Sequence, residues 1–494
     1  MSTNDNKPQP GGNGRLELLW VILPKLPLIA KVVLLHVLGR SEAAKYLDLR
    51  SDLTVSVMRA MMNPATPRSI SETQAMTLRD PGVKGRIWVS TAAAKVPPEL
   101  DIRDALLAAI DDMRAPEERG TAPSFKIPDI VPVEAEWTGY RAAAARDEPP
   151  PAIREEEKYQ EMMKEVKNKT TFLYFHGGAY YLADPAMHRP LVKKLARLTG
   201  GRAYSVRYRL APQNPFPSAL LDALVSYFTL LYPPPGSFHE PVAPGDIVLA
   251  GDSAGGNLSL ALLQTLLELR RQGRRIAWFG EEREVPLPAG AATFSPWVDI
   301  IQTFPSLWNN LKWCYLPPPS LLADGRRAKE DGIWPTKPAR KHIYVDDAYL
   351  MHPLVSLQLA ETWAGAPPVY VSCGWETLAD EAKYIAAKLS RDGAKVVFEE
   401  YEAMPHVFEI IMPQLAESRR CVEALAKFAS AVTEDPEKVQ SSYKTIRAKT
   451  LEEVEIDAGK LSPFTDEEVR DMARNKISGL KEQLAPVPDV PAKL

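Results

Sequence analysis

From residue 133 onward the chain alternates short runs rich in β-branched and aromatic residues with stretches of helical length. Such runs fall at residues 133–140, 171–175, 203–208, 247–250, 291–294, 369–373 and 396–401. Each has the length of a strand, and the pattern predicts an α/β domain with a mostly parallel central sheet flanked by helices. The charged stretch 154–169 predicts a solvated helix or linker between the first two strands, and 258–271 predicts a helix directly after the fourth. A long insertion at 301–350 breaks the rhythm. Beyond residue 434 charged positions dominate, and Thr465 with Glu468 has the spacing of a capping box that opens a last helix.

Before residue 133 the pattern differs. Residues 16–38 are largely apolar and long enough for a membrane helix, which needs about 20 residues. Glu17, Lys25, Lys31 and His36 interrupt the run, and Pro24 and Pro27 would break or kink a helix near its middle. No small-residue cleavage pattern follows, which argues against a secretory signal. Two readings stay open: a segment lying at or in a membrane with its lysines reaching the head groups, or apolar faces packed on the rest of the protein as part of a lid. A second apolar helix at 53–62 fits either. Residues 64–130 mix helix-like stretches such as 102–113 with proline and charge, and read as accessory structure.

Composition narrows the class of function. With 45% hydrophobic and 25% charged residues over 494 positions, the chain has the make-up of an ordinary folded protein. Its 60 basic and 63 acidic residues leave a net charge of -3 without a long basic run, which removes the electrostatic signature of a nucleic-acid binder. Cys314, Cys373 and Cys421 have no paired spacing, so neither a disulfide framework nor a zinc cluster is expected. Proline triplets at 149–151, 233–235 and 317–319 mark loops.

The strongest chemical signal is Gly251-Asp252-Ser253-Ala254-Gly255, which sits between an apolar strand and a helix. A serine on such a turn is lifted above the sheet, and the flanking glycines let backbone approach without a Cβ clash. The helix that follows aims its positive end at the site. Ser253 is therefore the candidate nucleophile. The strand 171–175 runs into His176-Gly177-Gly178-Ala179-Tyr180, where consecutive glycines free backbone N–H groups to face one oxyanion. Gly177 and Gly178, with the N–H of Ala254, are the candidate donors.

Together with Tyr208-Arg209-Leu210-Ala211-Pro212 and Phe216-Pro217, these segments resemble the hormone-sensitive-lipase branch of the α/β-hydrolases, over about residues 171–428. The likeness is closest to fungal esterases related to steryl acetyl hydrolases, on the segment 172–181. The resemblance implies an α/β-hydrolase fold with a triad in the order Ser, acid, His. Of the seven histidines only His406 lies beyond the acid candidates, in Met404-Pro405-His406-Val407-Phe408. The family pattern Asp-x-Leu-x-Asp-Glu reads Glu376-Thr377-Leu378-Ala379-Asp380-Glu381 here, which puts glutamate at the acid position. Glu376 is the expected acid and Asp380 the alternative, with helix-end charge or a loop contact as the other role for Asp380 and Glu381. Gln213 replaces the family's usual Glu, a change expected to touch a structural contact. Asp252 and Asp222 are expected to hold loops.

The resulting division is an N-terminal apolar segment and cap region (1–132), a catalytic domain (133–433) carrying the insertion, and a charged helical extension (434–494). Trp308, Trp313, Tyr315, Trp334, Tyr344 and Tyr349 in the insertion either line an apolar acyl or alcohol pocket or pack the insertion on the sheet. The expected activity is hydrolysis of a short-chain or acetyl ester of a lipophilic alcohol through an acyl-enzyme, with no metal or organic cofactor and no nucleic-acid partner. An amide or formamide hydrolase would use the same residues. A noncatalytic ligand receptor, as in the plant gibberellin receptors that share this fold, is the rival of a different class. Residues 16–38 suggest membrane association, with the endoplasmic reticulum as the expected location and the cytoplasm as the alternative. Of two glycosylation sequons, the one at Asn257 is expected to be inaccessible and the one at Asn168 to be the better acceptor.

Overall fold

The computed structural model describes residues 23–63, 67–318 and 328–482. The first part of the apolar N-terminal run, residues 16–22, lies outside the described residues, as does the middle of the insertion.

The sheet is built from β1 (Ile87–Ala94), β2 (Val133–Tyr140), β3 (Thr171–Phe175), β4 (Arg202–Val206) and β5 (Ile247–Asp252). After a small separate hairpin of β6 (Ile276–Trp278) and β7 (Glu281–Arg283), it continues through β8 (Gly290–Phe294), β9 (Val369–Gly374), β10 (Val396–Tyr401), β11 (Ser442–Ile446) and β12 (Glu453–Glu455). The spatial order is β1-β2-β4-β3-β5-β8-β9-β10-β11-β12. From β4 to β11 every neighbouring pair is parallel, and antiparallel pairs close the two ends.

The strands read from the sequence are present with ends shifted by at most two residues. β3, β5, β8 and β9 are buried along their whole length, as parallel strands covered on both faces must be. Their alternate residues divide between two cores. Leu173, Phe175, Ile247 and Leu249 pack with Leu220, Leu224, Leu258 and Leu262 from the helices Ser218–Leu231 and Ala254–Arg271. Phe172, Tyr174, Val248 and Ala250 face Leu191, Leu195, Leu425 and Phe428 from Pro185–Thr199 and Ala416–Glu434.

The sheet crosses both boundaries expected from sequence. β1, in the segment read as accessory, pairs with β2 along its full length from Ile87↔Tyr140 to Ala94↔Val133. Past residue 434 the chain is not simply helical: β11 and β12 extend the far edge before the last helix, Asp466–Glu482. That helix opens on the expected capping box, with Glu468 N–H donating to Thr465 Oγ1 and Thr465 N–H to Glu468. The charged stretch 154–169 contains a helix, Glu155–Glu165.

Among the described residues no helix is long and apolar enough to cross a membrane. Leu26–Val37 is 12 residues long and pairs with the helix Leu49–Met62.

Candidate active site

The elbow after β5 depends on two glycines. A Cβ on Gly251 would fall 2.4 Å from the Gly255 carbonyl carbon, and one on Gly255 only 2.0 Å from Phe175 O, so the end of β3 could not lie against the turn with any larger residue. Between them Ser253 takes φ 53° and ψ -119°, a strained conformation for a residue with a side chain. The helix Ala254–Arg271 begins at the next residue.

Three side chains converge there. Ser253 Oγ lies 2.9 Å from His406 Nε2, and His406 Nδ1 is hydrogen-bonded to Glu376 Oε2. Glu376 follows β9 and is fully buried, and its other oxygen accepts the Gly374 N–H at 3.3 Å. His406 follows β10 on a loop whose Ala403 and Val407 have positive φ, and the Val407 N–H donates to Ser295 Oγ at 3.2 Å. The imidazole is thus held between serine and carboxylate, an arrangement that can take the serine proton and return it to a leaving group.

The glycine-rich loop after β3 supplies backbone donors. The N–H groups of Gly178 and Ala254 have no acceptor among the described residues, whereas that of Gly177 donates to Asp252 Oδ2 at 3.1 Å. Of the three donors expected from sequence, two are therefore open and one is engaged. Asp252 Oδ1 accepts the Tyr174 hydroxyl at 2.7 Å and pairs with His188 Nε2 at 3.3 Å. Burial alone would raise the Asp252 pKa, but the charge and hydrogen bond of His188 outweigh it and hold the carboxyl below its ordinary value. Burial likewise opposes a charged His188, yet Asp252 raises its pKa. His176 behaves oppositely: burial first, then the neighbouring His188, pushes it down to about 4, and it stacks on Tyr208 at 4.4 Å as a neutral ring. His188 is not legible in the sequence, because a lone histidine in a helix 65 residues upstream of the serine carries no pattern. Among the described residues no group of His, Cys, Asp or Glu could hold a metal ion.

A family model described as the alpha/beta hydrolase fold matches residues 172–410. An acetyl-hydrolase of Streptomyces hygroscopicus is 33% identical over 264 residues, covering 53% of this chain and 76% of that protein. This chain belongs to the α/β-hydrolase family. An esterase of Acinetobacter venetianus is 30% identical over 277 residues, 56% of this α/β-hydrolase and 80% of its relative. Among solved structures, a mutant of an esterase superposes with a TM-score of 0.52 at 22% identity, covering 78% of this chain and 100% of its own. At that identity the likeness concerns the fold alone.

Asp380, Glu381 and Asp222 of this α/β-hydrolase are clamps. Asp380 accepts the Ser306 N–H at 2.8 Å and does not reach His406, while Glu381 accepts the N–H groups of Val298 and Asp299. Asn310 Nδ2 donates to the Glu376 carbonyl at 3.0 Å, so the start of the insertion is fastened to the acid-bearing turn. Asp222 grips Arg209, and Gln213 exchanges amide hydrogen bonds with Gln74 of the helix Ile70–Thr77. Asn257 is fully buried, accepting from Tyr180 and donating to the Trp297 carbonyl, so its sequon is closed; Asn168 is exposed.

The insertion and N-terminal segment meet beside this site. Tyr46 packs edge-on against Trp313 at 5.3 Å and against Trp375, the neighbour of Glu376, at 5.5 Å. Arg59 donates to the carbonyls of Lys312 and Cys314. Of the insertion's six singled-out aromatics, Tyr315 lies against the His406 ring, at 6.2 Å. Tyr344 instead stacks on Tyr180, Tyr349 packs on Phe125, Trp334 is buried near Arg340, and Trp308 is 52% exposed, so packing accounts for most of the group.

Proposed function

We propose that this α/β-hydrolase is a serine carboxylic-ester hydrolase acting through an acyl-enzyme. The observation that carries this reading is the hydrogen-bonded chain from Ser253 Oγ through His406 to Glu376. Ser253 attacks the ester carbonyl, and His406 takes its proton and passes it to the leaving alcohol. Glu376 orients the ring and supports the imidazolium. The N–H groups of Gly178 and Ala254 stabilise the tetrahedral oxyanion, and Gly177 forms the third position of that loop. Asp252, held ionised by His188, fixes the loop through the Gly177 amide.

The substrate is a short acyl ester, most simply an acetate, of a lipophilic alcohol. The 33% identical relative is named an acetyl-hydrolase, and the sequence resembles fungal steryl acetyl hydrolase-like esterases. Buried Tyr315 and Trp313, with half-buried Trp375, give the surroundings of His406 and Glu376 an apolar character. The test is hydrolysis of p-nitrophenyl esters from acetate to dodecanoate, with a steryl acetate as a second arm. The expected kcat/KM is highest on acetate or butyrate and at least about tenfold lower on dodecanoate, because extra methylenes that do not fit a site shaped for a short acyl group cost about 1–3 kcal/mol. A maximum at dodecanoate would refute the short-acyl reading. Hydrolysis of aryl formamides alone would replace ester by amide. No turnover and no labelling by a fluorophosphonate would leave a ligand receptor.

The same reading places the protein on a membrane surface rather than across it. The helix Leu26–Val37 has no buried residue, and Leu26, Leu34, Val37 and Leu38 are each at least half exposed. A helix that pairs with Leu49–Met62 through half-buried residues and leaves Leu26, Leu34 and Val37 exposed favours an interfacial position, with Lys31 reaching head groups. Substituting Leu34→Glu together with Val37→Glu is expected to lower co-sedimentation with anionic vesicles at least about fivefold, while hydrolysis of a soluble acetate is retained. Equal sedimentation of variant and wild type would refute the interfacial role.

A further inference from the structure

Away from the triad, one concave pocket collects positive charge without compensation. In the helix Pro185–Thr199, Pro190, Lys193, Lys194 and Arg197 stand at the spacing i, i+3, i+4 and i+7, which aligns them on one face. Arg86, one position before β1, and Tyr140, the last residue of β2, come from the adjoining sheet edge. Together these six residues line a hollow of about 330 Å³ that opens to solvent. Arg86 donates from Nε to the Ala144 carbonyl at 3.1 Å, and its Nη1 lies 3.4 Å from the Tyr140 hydroxyl. The Arg197 guanidinium lies 5.7 Å from the Tyr140 ring centroid on the same residue.

No carboxylate among the described residues forms an ion pair with Arg86, Lys193, Lys194 or Arg197. Glu423 is the acid that faces Lys194, beyond ion-pair reach, and Arg419 from the same helix adds another positive charge. The contrast lies within one helix. Arg189 is paired with both Asp80 and Glu136, and Arg207 nearby with Glu134, Glu136 and Asp184. Acids are therefore placed where arginines are structural and absent where the pocket opens, in a chain whose net charge is -3. Lys193 and Lys194 are half-buried, and burial first, then the Arg197 charge, lowers both ammonium pKa values. Two half-buried ammonium groups beside two exposed guanidinium groups repel one another and are relieved by an anion.

We propose that this pocket binds a phosphate-bearing anion, with Arg86 and Arg197 supplying planar pairs of donors and Lys193 and Lys194 point charges. Guanidinium forks match the oxygens of phosphate, and ammonium groups add charge without fixed geometry. The hollow opens to solvent, so it admits a phosphate monoester or a phospholipid head group as well as the bare ion.

The experiment uses the full chain and titrates inorganic phosphate and glycerol 3-phosphate calorimetrically against sodium chloride at matched ionic strength. Vesicles of phosphatidylcholine with and without phosphatidic acid form a second arm. Saturable binding of either soluble phosphate, weakened at least about tenfold in Arg197→Gln and in Lys193→Gln, supports the site. Binding seen only on phosphatidic acid vesicles, measured in the Leu34→Glu and Val37→Glu background and lost on adding the same substitutions, assigns it to a lipid head group. Hydrolysis of p-nitrophenyl acetate, expected unchanged in both variants, reports that they are folded. Binding that the variants leave intact, or no binding of any probe beyond the chloride control, overturns the proposal.

Discussion

Ser253→Ala is expected to lower kcat on p-nitrophenyl acetate by about 10⁵- to 10⁶-fold, with KM and thermal midpoint close to those of the wild type. The size follows from acyl-enzyme chemistry: without Oγ no covalent intermediate forms, and only binding and oxyanion stabilisation remain. The fold should tolerate the change. Ser253 Oγ makes its hydrogen bond to His406, and alanine bears the same Cβ, so the strain at φ 53° is not increased. His406→Ala should cost about as much as Ser253→Ala, and the double variant little more than either, because residues acting as one unit are non-additive. Residual turnover above about 1% of wild type in Ser253→Ala would remove the serine from the nucleophile's role.

What the sequence made legible is what chemistry requires locally. A serine elbow needs glycines on both sides, a strand before and a helix after, and all of these occupy adjacent positions. The parallel strands were legible for a similar reason, since burial on both faces forces continuous apolar runs. β1 was missed because its sequence, Ile-Trp-Val-Ser-Thr-Ala-Ala-Ala, ends in alanines that favour no strand and lies at the sheet edge, where one side lacks a partner. β11 and β12 are five and three residues long, with exposed or half-buried charged positions, and their pairing, of β11 on β10 and of β12 on β11, does not rest on their own pattern.

Partners distant in sequence were less legible than the residues they serve. Asp252 is legible as a loop-holding residue, but its dependence on His188 and Tyr174 arises only when β3, β5 and the helix Pro185–Thr199 are brought together. The same holds for Tyr46 against Trp375, which joins residues more than 300 positions apart. The engagement of the Gly177 amide by Asp252 follows from three-dimensional closeness that the glycine pattern does not encode.

Glu376→Gln is expected to lower kcat by about 10³- to 10⁴-fold while KM changes little. Glutamine fills the same space, so the fully buried site should stay packed. What is lost is the negative charge that fixes the proton on His406 Nδ1 and supports the imidazolium as Ser253 attacks. Glu376→Asp tests placement rather than charge. Its carboxylate bridges the Gly374 N–H and His406 Nδ1, and shortening the chain by one methylene withdraws it by about 1.5 Å. A misplacement of that size costs about 10²-fold, so aspartate, although the commoner acid at this position in the resembled family, should not restore activity without a backbone shift. Asp380→Asn provides the decisive comparison. Its contact to the Ser306 N–H needs only an acceptor oxygen, which asparagine retains, and kcat/KM should fall by less than about threefold. If Asp380→Asn proved the inactive variant and Glu376→Gln the active one, the acid would be one helical turn further along the chain and the arrangement at His406 would have to change on substrate binding.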